Sequence, residues 1–487
     1  MDARVEPGTI WNLEEVLQRF PAAQASNHGA THSDASLDST IYCGFEQYGA
    51  EFLAALEGRF ATVYCDVQRG RLFVARDWIG ETPLHYLIGR KKIYFGNTIL
   101  ALKALALDEF SYENVRAFPH CHYQIIDLRL MDRENVSGTF RPVQRNLFYD
   151  FEADVNAHEL TLENNKAPID FSRMGSAIKE AVSRRATMNR SGAHSLLLSG
   201  GLDSLCVGVA LKSLGLSFET FTITVDQKLG EAEMASTFSK KLGVKHYIID
   251  LKTEEILRHY EEAVRVSETY AIYNVYCAVG MLLMGRKLRD LNVERAFCGE
   301  GMNEAVGDYK DWSIYNPIMR QSVLMQQIDR ERIEKSSERL LYVWGHSSDK
   351  GKYNRQQGTG LAKHAASRMV KPFLASGLQL ECPYYDRELL SSIVALQPDM
   401  LRKLGGKPGL FWNVFREEFE KFGFNEEFIG KCKKIRLQDA TDAGSHGISS
   451  VLIASGHDQE RTLTIFNSIF GSKFNAKEKS KQLLCTQ

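Results

Sequence analysis

Short apolar runs alternate with stretches of helical spacing through the second half of the chain. Four runs have the length and composition of buried strands: residues 195–198, 218–225, 246–250 and 295–298. Helical spacing begins at Leu205 and returns over residues 231–242 and 254–289, and residues 310–487 are mainly helical in pattern. This alternation predicts a doubly wound, mostly parallel α/β sheet, in which ligands bind beyond the carboxyl ends of the strands.

Residues 42–150 show a different pattern, in which short apolar strands are joined by tight turns. The predicted strands are residues 60–65, 71–75 and 92–97, with a turn at residues 68–70. Residues 151–170 are polar and are predicted to form a linker. The pattern and the length of the chain therefore predict two domains, a β-rich one over residues 1–160 and an α/β one over residues 171–487.

Composition and charge narrow the class of protein. The 487 residues are 44% hydrophobic and 25% charged, as in globular proteins, and the formal net charge of −1 favours neither nucleic acid nor an anionic membrane as a partner. No apolar run reaches the roughly 18 residues that span a bilayer, and the first residues lack a signal-peptide core, so we expect a cytoplasmic protein. The nine cysteines are scattered without metal-site spacing and are expected to be reduced thiols.

A glycine turn directly follows the first parallel strand. Its residues are Ser199, Gly200, Gly201, Leu202, Asp203 and Ser204. A strand, a glycine turn and a helix N-terminus form a cradle in which backbone N–H groups and serine hydroxyls can bind phosphate oxygens. A bare carboxylate would repel phosphate, so we expect Asp203 to hold Mg²⁺. The alternative is an ordinary strand–turn–helix junction, but the run resembles the SGGxDS loop of ATP pyrophosphatases.

A second loop of small and acidic residues follows the strand at residues 295–298. It runs from Cys298 to Tyr309 and contains Gly299, Glu300 and Gly301. Small residues let a backbone approach a ligand, and carboxylates or amides can bind metal or accept protons. A surface turn is the alternative, and the position of the loop beside the first one in a parallel sheet argues against it.

Together the two loops resemble those of the asparagine synthetase and β-lactam synthetase family. The residues that match the family pattern GEGSDExxGGY are Gly299, Glu300, Gly301, Glu304, Gly307 and Tyr309. Further similar stretches are residues 221–224, 231–232, 268–270, 377–379 and 382–386. In the first half, residues 56–61 (LEGRFA) resemble LEGMFA, and residues 76–86 (RDWIGETPLHY) resemble RDxxGxxPLYY. The resemblance runs from about residue 50 to residue 445.

This resemblance implies a fold and a set of functional residues. The fold is an Ntn-hydrolase-like, β-rich α+β domain, inactive here, followed by an ATP-pyrophosphatase domain that uses ATP and Mg²⁺. The positions implied to bind ATP and pyrophosphate are Ser199, Gly200, Gly201, Asp203, Ser204, Thr222, Ile223, Val225 and Gly299. Asp203 and Asn303 take the metal positions. Glu300 is implied to accept a proton from the attacking amine, and Lys434 to stabilise the tetrahedral oxyanion.

The N-terminal residue that hydrolyses glutamine in the family differs here. The glutamine-using members carry Cys as residue 2, whereas this sequence has Asp2, and its first cysteine is Cys43. We therefore expect the first domain to have lost glutamine hydrolysis and to serve as a scaffold, as in β-lactam synthetases.

Two further differences concern the second domain. Met302 and Asn303 replace a Ser-Asp pair, and an amide oxygen can bind Mg²⁺ without adding charge. Weaker metal binding is therefore expected, and the alternative is that Glu304 compensates for the lost charge. Residues 433–439 resemble a segment of carbapenam and β-lactam synthetases, whereas Glu300 is typical of asparagine synthetases. β-Lactam synthetases pair a tyrosine with a later glutamate. The glutamates in that region here are better explained as a charged helix face: Glu331, Glu334 and Glu338.

These features predict an enzyme that adenylates the carboxylate of a small, amino-acid-like substrate and lets an amine displace AMP. The amine would come from the same molecule, giving a lactam of the natural-product type, from a second molecule, or from free ammonia. We favour a dedicated amine, with intramolecular closure slightly ahead. A decayed nucleotide-binding scaffold is the non-enzymatic alternative. Tyr270, Tyr273 and Gly301 are candidates for the substrate pocket, with core packing as the alternative for the tyrosines, and a homodimer is compatible with the sequence.

Overall fold

The protein is described by a computed structural model over most of its length. The described residues are 8–21, 37–90, 92–129, 146–164, 169–188, 193–228, 231–306, 368–396, 398–432 and 447–472. The chain divides into two compact units: Met1–Asp150 with Asn467–Phe474, and Phe151–Phe466 with Asn475–Gln487. Within the described ranges, no helix has the length and apolar character needed to cross a membrane.

The first unit is built from antiparallel strands and a few helices. Its helices are α1 (Leu13–Arg19), α2 (Leu37–Tyr48), α3 (Ala50–Ala55) and α4 (Ile99–Ala106). Its strands are β1 (Thr9–Ile10), β2 (Gly58–Arg59), β3 (Ala61–Asp66), β4 (Arg71–Arg76), β5 (His85–Ile88), β6 (Ile93–Gly96), β7 (Arg116–Ala117), β8 (His122–Asp127) and β9 (Asn146–Leu147). They form sheets of order β3-β4-β8-β9, β6-β5-β7 and β1-β2, so the β-rich character predicted for this half is confirmed.

Strand β4 is buried on both faces, which explains its continuous apolar sequence. Leu72 and Val74 belong to a core cluster that also contains Tyr86 of β5. Phe73 points to the opposite face, where its ring lies 4.8 Å from that of Phe45 in α2. Because neighbouring residues of a strand face opposite sides, a strand with two covered faces has no polar alternation.

The second unit contains a parallel sheet and many helices. Its helices up to the second loop are α5 (Phe151–Asn164), α6 (Phe171–Ala186), α7 (Leu202–Ser213), α8 (Glu231–Leu242), α9 (Thr253–Arg258), α10 (Tyr260–Ser267), α11 (Ile272–Asp290) and α12 (Met302–Val306). Those after it are α13 (Lys371–Ala375), α14 (Arg387–Val394), α15 (Pro398–Lys403), α16 (Gly406–Val414), α17 (Arg416–Lys421), α18 (Glu426–Gly430), α19 (Ile448–Ala454) and α20 (Gln459–Phe470), of which the residues from Asn467 onward are assigned to the first unit. The strands are β10 (His194–Leu197), β11 (Phe218–Val225), β12 (His246–Leu251), β13 (Arg295–Phe297) and β14 (Gln379–Glu381).

The order of the strands in this sheet is β12-β11-β10-β13-β14, and all neighbours are parallel. The chain builds outward from β10 to β12 and then returns to the other side of β10 with β13. The strand order therefore reverses between β10 and β13, where Leu196 pairs with Phe297. In sheets of this kind, such a reversal opens a crevice at the carboxyl ends of the two strands. The predicted doubly wound fold is confirmed.

The linker predicted for residues 151–170 is wrong over most of its length. Helix α5 occupies Phe151–Asn164 within this segment. Phe151 and Val155, four residues apart on one helix face, are both buried. One apolar stripe of this kind is enough to hold a polar helix against its neighbours, so a polar composition alone does not distinguish it from a linker.

Candidate functional site

The predicted phosphate loop lies between β10 and α7, at the carboxyl end of the central strand. Gly200 has a φ of +74°, a conformation that favours glycine. Ser204 Oγ accepts a hydrogen bond from the backbone N–H of Ser199 at 3.2 Å and donates to the carbonyl oxygen of Gly201 at 3.1 Å. The two serine hydroxyls lie 3.2 Å apart. The loop is thus a closed turn at the N-terminus of a twelve-residue helix, which is suited to an anion.

The second loop packs directly onto the first. A Cβ on Gly299 would lie 2.5 Å from the backbone nitrogen of Ser204 and 2.7 Å from the carbonyl carbon of Asp203. Only a glycine therefore allows the ends of β10 and β13 to approach this closely. Two residues on, Gly301 has a φ of +111°, and a Cβ there would lie 2.8 Å from the ring of Tyr385. The two predicted loops are brought together as expected.

Tyr384 also contacts the start of α7. Its hydroxyl donates a hydrogen bond to the carbonyl oxygen of Asp203 at 2.7 Å. Burial raises the pKa of the Tyr384 phenol well above its ordinary value, so the hydroxyl keeps its proton and acts as a donor. The residue follows β14, so three neighbouring strand ends contribute to this region.

Lys407, which the sequence does not single out, lies between the two residues predicted to bind metal. Its Nζ is 2.8 Å from Oδ2 of Asp203 and 2.5 Å from Oδ1 of Asn303. The lysine is only 8% exposed and stands in the first turn of α16. The available signal is its place directly after Gly405 and Gly406, whose positive φ values mark the turn into α16. Lysines are rarely buried unless they are paired, and this one is paired with an oxygen from each loop.

The residues at the predicted magnesium position do not fit a bound metal ion as they are arranged. One carboxylate and one neutral amide face each other, and an ammonium group lies between them. Throughout the described ranges, no group of three or more His, Cys, Asp and Glu side chains could hold a metal ion. Mg²⁺ prefers several oxygen ligands in octahedral geometry, and the cation present at these two oxygens is instead a lysine.

Glu300, the predicted proton acceptor, is paired with Arg368. A guanidinium nitrogen of Arg368 contacts Oε1 of Glu300, and both side chains are largely buried. Arg368 lies directly before α13 and is not identifiable from the sequence, because nothing in its local pattern marks it. A carboxylate that pairs with a guanidinium is held in one orientation, so Arg368 positions Glu300 beside the phosphate loop.

The same helical turn provides a second buried ion pair. Lys371 Nζ lies 2.5 Å from Oε2 of Glu268, and these side chains are 9% and 1% exposed. Glu268 follows α10 and has a left-handed backbone with a φ of +53°, which is uncommon for a residue other than glycine. Arg368 and Lys371 are three residues apart. One turn therefore connects Glu300 with residues 268–270, the stretch that resembles asparagine synthetases.

Three of the positions predicted to bind ATP lie in the second half of β11. Thr222, Ile223 and Val225 are all buried. The hydroxyl of Thr222 donates to the carbonyl oxygen of Leu198, the residue before the phosphate loop. Pairing of β11 with β10 ends at Phe221, so the last residues of β11 extend past the point where the phosphate loop begins.

The other predicted residues are packed in the core, described by their backbone only, or outside the described part of the chain. Tyr270 is buried, and its ring packs edge-on against Phe466 at 5.1 Å, an arrangement that favours the packing alternative over a pocket role. Burial raises the pKa of its phenol. Tyr273 lies in the first turn of α11, and its side chain is not among those described. Lys434 lies outside the described residues, as do Gly307, Tyr309 and the three glutamates considered as partners, Glu331, Glu334 and Glu338.

The matched residues in the first unit have a structural role. Asp77 is fully buried and accepts backbone hydrogen bonds from Phe60, Gly80, Glu81 and Thr82 at 2.6–3.2 Å. The neighbouring guanidinium of Arg76 donates to the carbonyl oxygens of three residues, among them Phe118. The two side chains thus fix the turn that follows β4.

Two family models match this chain, one in each unit. The family model described as asparagine synthase matches residues 173–422, and the model described as glutamine amidotransferase domain matches residues 3–104. The chain is 27% identical to asparagine synthetase [glutamine-hydrolyzing] 2 of Arabidopsis thaliana over 313 residues, 62% of this chain and 48% of the relative. It is 25% identical to a probable asparagine synthetase [glutamine-hydrolyzing] of Acanthamoeba polyphaga mimivirus over 408 residues, 81% of this chain and 65% of the relative.

A third relative is matched over most of this chain. The asparagine synthetase [glutamine-hydrolyzing] of Rattus norvegicus is 25% identical over 469 residues, 91% of this chain and 72% of the relative. The match to the plant protein, by contrast, spans about half of that protein's length. The asparagine synthase model alone covers more than half of the 487 residues. With the two loops joined at the switch point of a parallel sheet, this match shows that the chain belongs to the asparagine synthase family.

Proposed function

We propose that this protein is an ATP-dependent amide-bond synthetase that releases AMP and pyrophosphate. The observation that carries the proposal is the contact of Gly299 with Asp203 and Ser204. It joins an anion-binding helix N-terminus to a loop that bears a positioned carboxylate, Glu300. Such a pairing supports a reaction that handles phosphates and a proton in one place.

In the first step, the loop after β10 would bind the polyphosphate of ATP. The backbone N–H groups at the start of α7 point at the phosphates, and the hydroxyls of Ser199 and Ser204 turn from each other toward phosphate oxygens. The ammonium group of Lys407 adds positive charge at the same place. The end of β11, with Thr222, Ile223 and Val225, receives the adenine.

The substrate carboxylate then attacks the α-phosphorus, pyrophosphate leaves, and an acyl adenylate is formed. An amine attacks its carbonyl carbon, Glu300 accepts the proton that the amine loses, and AMP departs. Arg368 keeps the Glu300 carboxylate in place during this transfer. The family resemblance assigns Lys434 to the oxyanion of the tetrahedral intermediate, and that role is part of the proposal.

Magnesium enters this proposal only together with the nucleotide. Asp203 and Asn303 already face an ammonium group, so we assign them no metal ion of their own. A divalent cation would arrive on the phosphate oxygens of ATP, where kinase and ATPase sites commonly hold it.

For the nitrogen source, we favour an amine other than glutamine. Cys43, the first cysteine of the chain, lies within α2, and burial raises the pKa of its thiol. A thiol of this kind is a poor nucleophile for glutamine hydrolysis. A dedicated amine, with lactam closure of a small amino-acid-like substrate, is the leading case.

The scattered cysteines also support a cytoplasmic location.

Amidation by ammonia is the second candidate. It is favoured by Glu300, by the residues 268–270, and by the relatives, all three of which are named as asparagine synthetases. The two candidates share every step up to the acyl adenylate. They differ in the molecule that attacks it.

Mass spectrometry of the products tests the proposal and separates the candidates. The protein is incubated with ATP, Mg²⁺ and a panel of amino and diamino acids, with and without ammonium or glutamine. AMP with a product one water lighter, formed without ammonium, indicates lactam closure. AMP with amidation only in ammonium indicates the second candidate, and equal amidation from glutamine contradicts the loss of glutaminase activity.

Variants identify the groups involved. Glu300→Gln is expected to lower AMP release at least about 100-fold through the lost proton acceptor, whereas Glu294→Gln, at an exposed glutamate before β13, should leave it unchanged. Binding of ATP without AMP under any condition would instead support the scaffold alternative.

A further inference from the structure

We propose that the ammonium group of Lys407 is the resident cation of the nucleotide-free site, at the position where the sequence predicts Mg²⁺. The inference deepens the proposed function, on which it rests only for the identity of the site. In consequence, Asp203 and Asn303 do not bind a divalent cation by themselves.

The geometry places one donor between two acceptors. Lys407 Nζ lies 2.8 Å from Oδ2 of Asp203 and 2.5 Å from Oδ1 of Asn303, which are distances of hydrogen bonds. A Mg²⁺ ion bound by the same two oxygens would lie about 2.0–2.1 Å from each. The ammonium and the metal ion would therefore need the same space, and only one of them can hold these oxygens at a time.

The formal charges of these three described side chains match a monovalent cation. Asp203 supplies one negative charge, Asn303 supplies none, and Lys407 supplies one positive charge. The family pattern has an aspartate in place of Asn303, and that residue would leave one negative charge in excess of a lysine. The asparagine at position 303 thus accepts a hydrogen bond from the lysine without adding a charge of its own.

Burial fixes the lysine in this arrangement. Its side chain is 7% exposed and that of Asp203 is 17% exposed. An ammonium at such a depth is retained because it is paired, and removing it would leave the Asp203 carboxylate without the cation beside it. Lys407 therefore also ties α16 to both loops before any nucleotide arrives.

Binding of Mn²⁺ to the nucleotide-free protein tests the proposal. Free Mn²⁺ gives a six-line electron paramagnetic resonance signal that is lost on binding, so titration reports affinity without catalysis. The variants are Lys407→Met, Asn303→Asp and the double variant, and the matched control is Lys403→Met, an exposed lysine at the end of α15. The double variant has two carboxylates and no ammonium, so it should bind one Mn²⁺ at least about 10-fold tighter than the wild type, since affinity rises with ligand charge.

The wild type and Lys403→Met are expected to show no saturable binding in the same range. Stoichiometric binding by the wild type, or affinity in the double variant no higher than in the wild type, would overturn the proposal. Thermal melting checks the ion pair separately: Lys407→Met should lower the melting temperature, and by less when Asp203→Asn is also present. Equal losses in both backgrounds would contradict the pairing. None of these readouts requires ATP turnover, so their failure is distinct from failure of the proposed synthetase activity.

Discussion

The close approach of Gly299 to the start of α7 gives a sharp prediction. In Gly299→Ala, the new Cβ would lie 2.5 Å from the Ser204 nitrogen, whereas ordinary contacts begin at 3.4 Å. The two nearest atoms, the Ser204 nitrogen and the Asp203 carbonyl carbon, belong to the backbone, so rotation of a side chain cannot relieve the clash. The end of β13 and the phosphate loop must therefore separate by about 1 Å.

The magnitude of the effect follows from that displacement. Overpacking of this kind costs about 1–3 kcal/mol in the free energy of unfolding. A shift of about 1 Å also breaks the alignment of the backbone N–H groups with a phosphate, and one hydrogen bond to a charged group is worth about 1.5–3 kcal/mol. The expected loss in ATP affinity is therefore about 10- to 100-fold.

Isothermal titration calorimetry with ATP and urea denaturation measure the two effects. Gly430→Ala is the matched control, because the space around its added Cβ is open within 4 Å. Gly430→Ala should leave the ATP affinity unchanged within error, and it should not lower the free energy of unfolding, because alanine favours a helix over glycine. An unaltered ATP affinity in Gly299→Ala, in a protein that is folded, would refute the idea that this contact sets the geometry of the phosphate loop.

Three further predictions concern other parts of the second unit. Lys371→Met should lower the free energy of unfolding by about 3–5 kcal/mol, because it removes the ammonium group that pairs with the buried Glu268 carboxylate. In urea denaturation, adding Glu268→Gln to this variant should restore most of the lost stability, and losses that simply add would contradict the pairing. Burial lowers the pKa of His194 below 6.5, so the unfolded chain takes up its proton first as the pH falls. The free energy of unfolding measured in urea should thus decrease from pH 7 to pH 5, and it should decrease less in His194→Phe. Parallel pH profiles of the wild type and this variant would argue against a lowered pKa of His194. Gly301→Ala should cost about 1–3 kcal/mol in the same assay, because of its positive φ and the nearby Tyr385 ring, and a neutral effect would show that the loop can relax.

Much of the fold is predictable because its elements have strong local patterns. β11 and α8 have the predicted boundaries, Phe218–Val225 and Glu231–Leu242. The first is a long apolar run and the second has one apolar face, so each pattern indicates one structure. β14 is a strand within a region predicted to be mainly helical, and the sequence pattern does not reveal it. The strand has only three residues, and its pairing with β13 is the tertiary contact that makes it a strand.

Some residues of the site are likewise predictable from the sequence and others are not. The two glycine loops are visible in the sequence, because Gly200 and Gly299 meet backbone requirements that few residues satisfy. Lys407 and Arg368 are not visible in the sequence, because their partners are far away along the chain. Lys407 lies 204 residues from Asp203, and Arg368 lies 68 residues from Glu300. No local pattern encodes such a contact. The position of Lys407 between Asp203 and Asn303, and with it the case against a bound Mg²⁺ at these two oxygens, therefore emerges only from the tertiary structure.

The central claim is that a carboxylate is activated by transfer of AMP. A substrate carboxylate labelled with ¹⁸O tests it most directly, since the oxygen that attacks the α-phosphorus stays with AMP when the amide forms. For the substrate identified in the product screen, mass spectrometry should find one ¹⁸O atom in AMP and none in pyrophosphate. Label in inorganic phosphate together with ADP, or unlabelled AMP, would contradict adenylation and with it the proposed function.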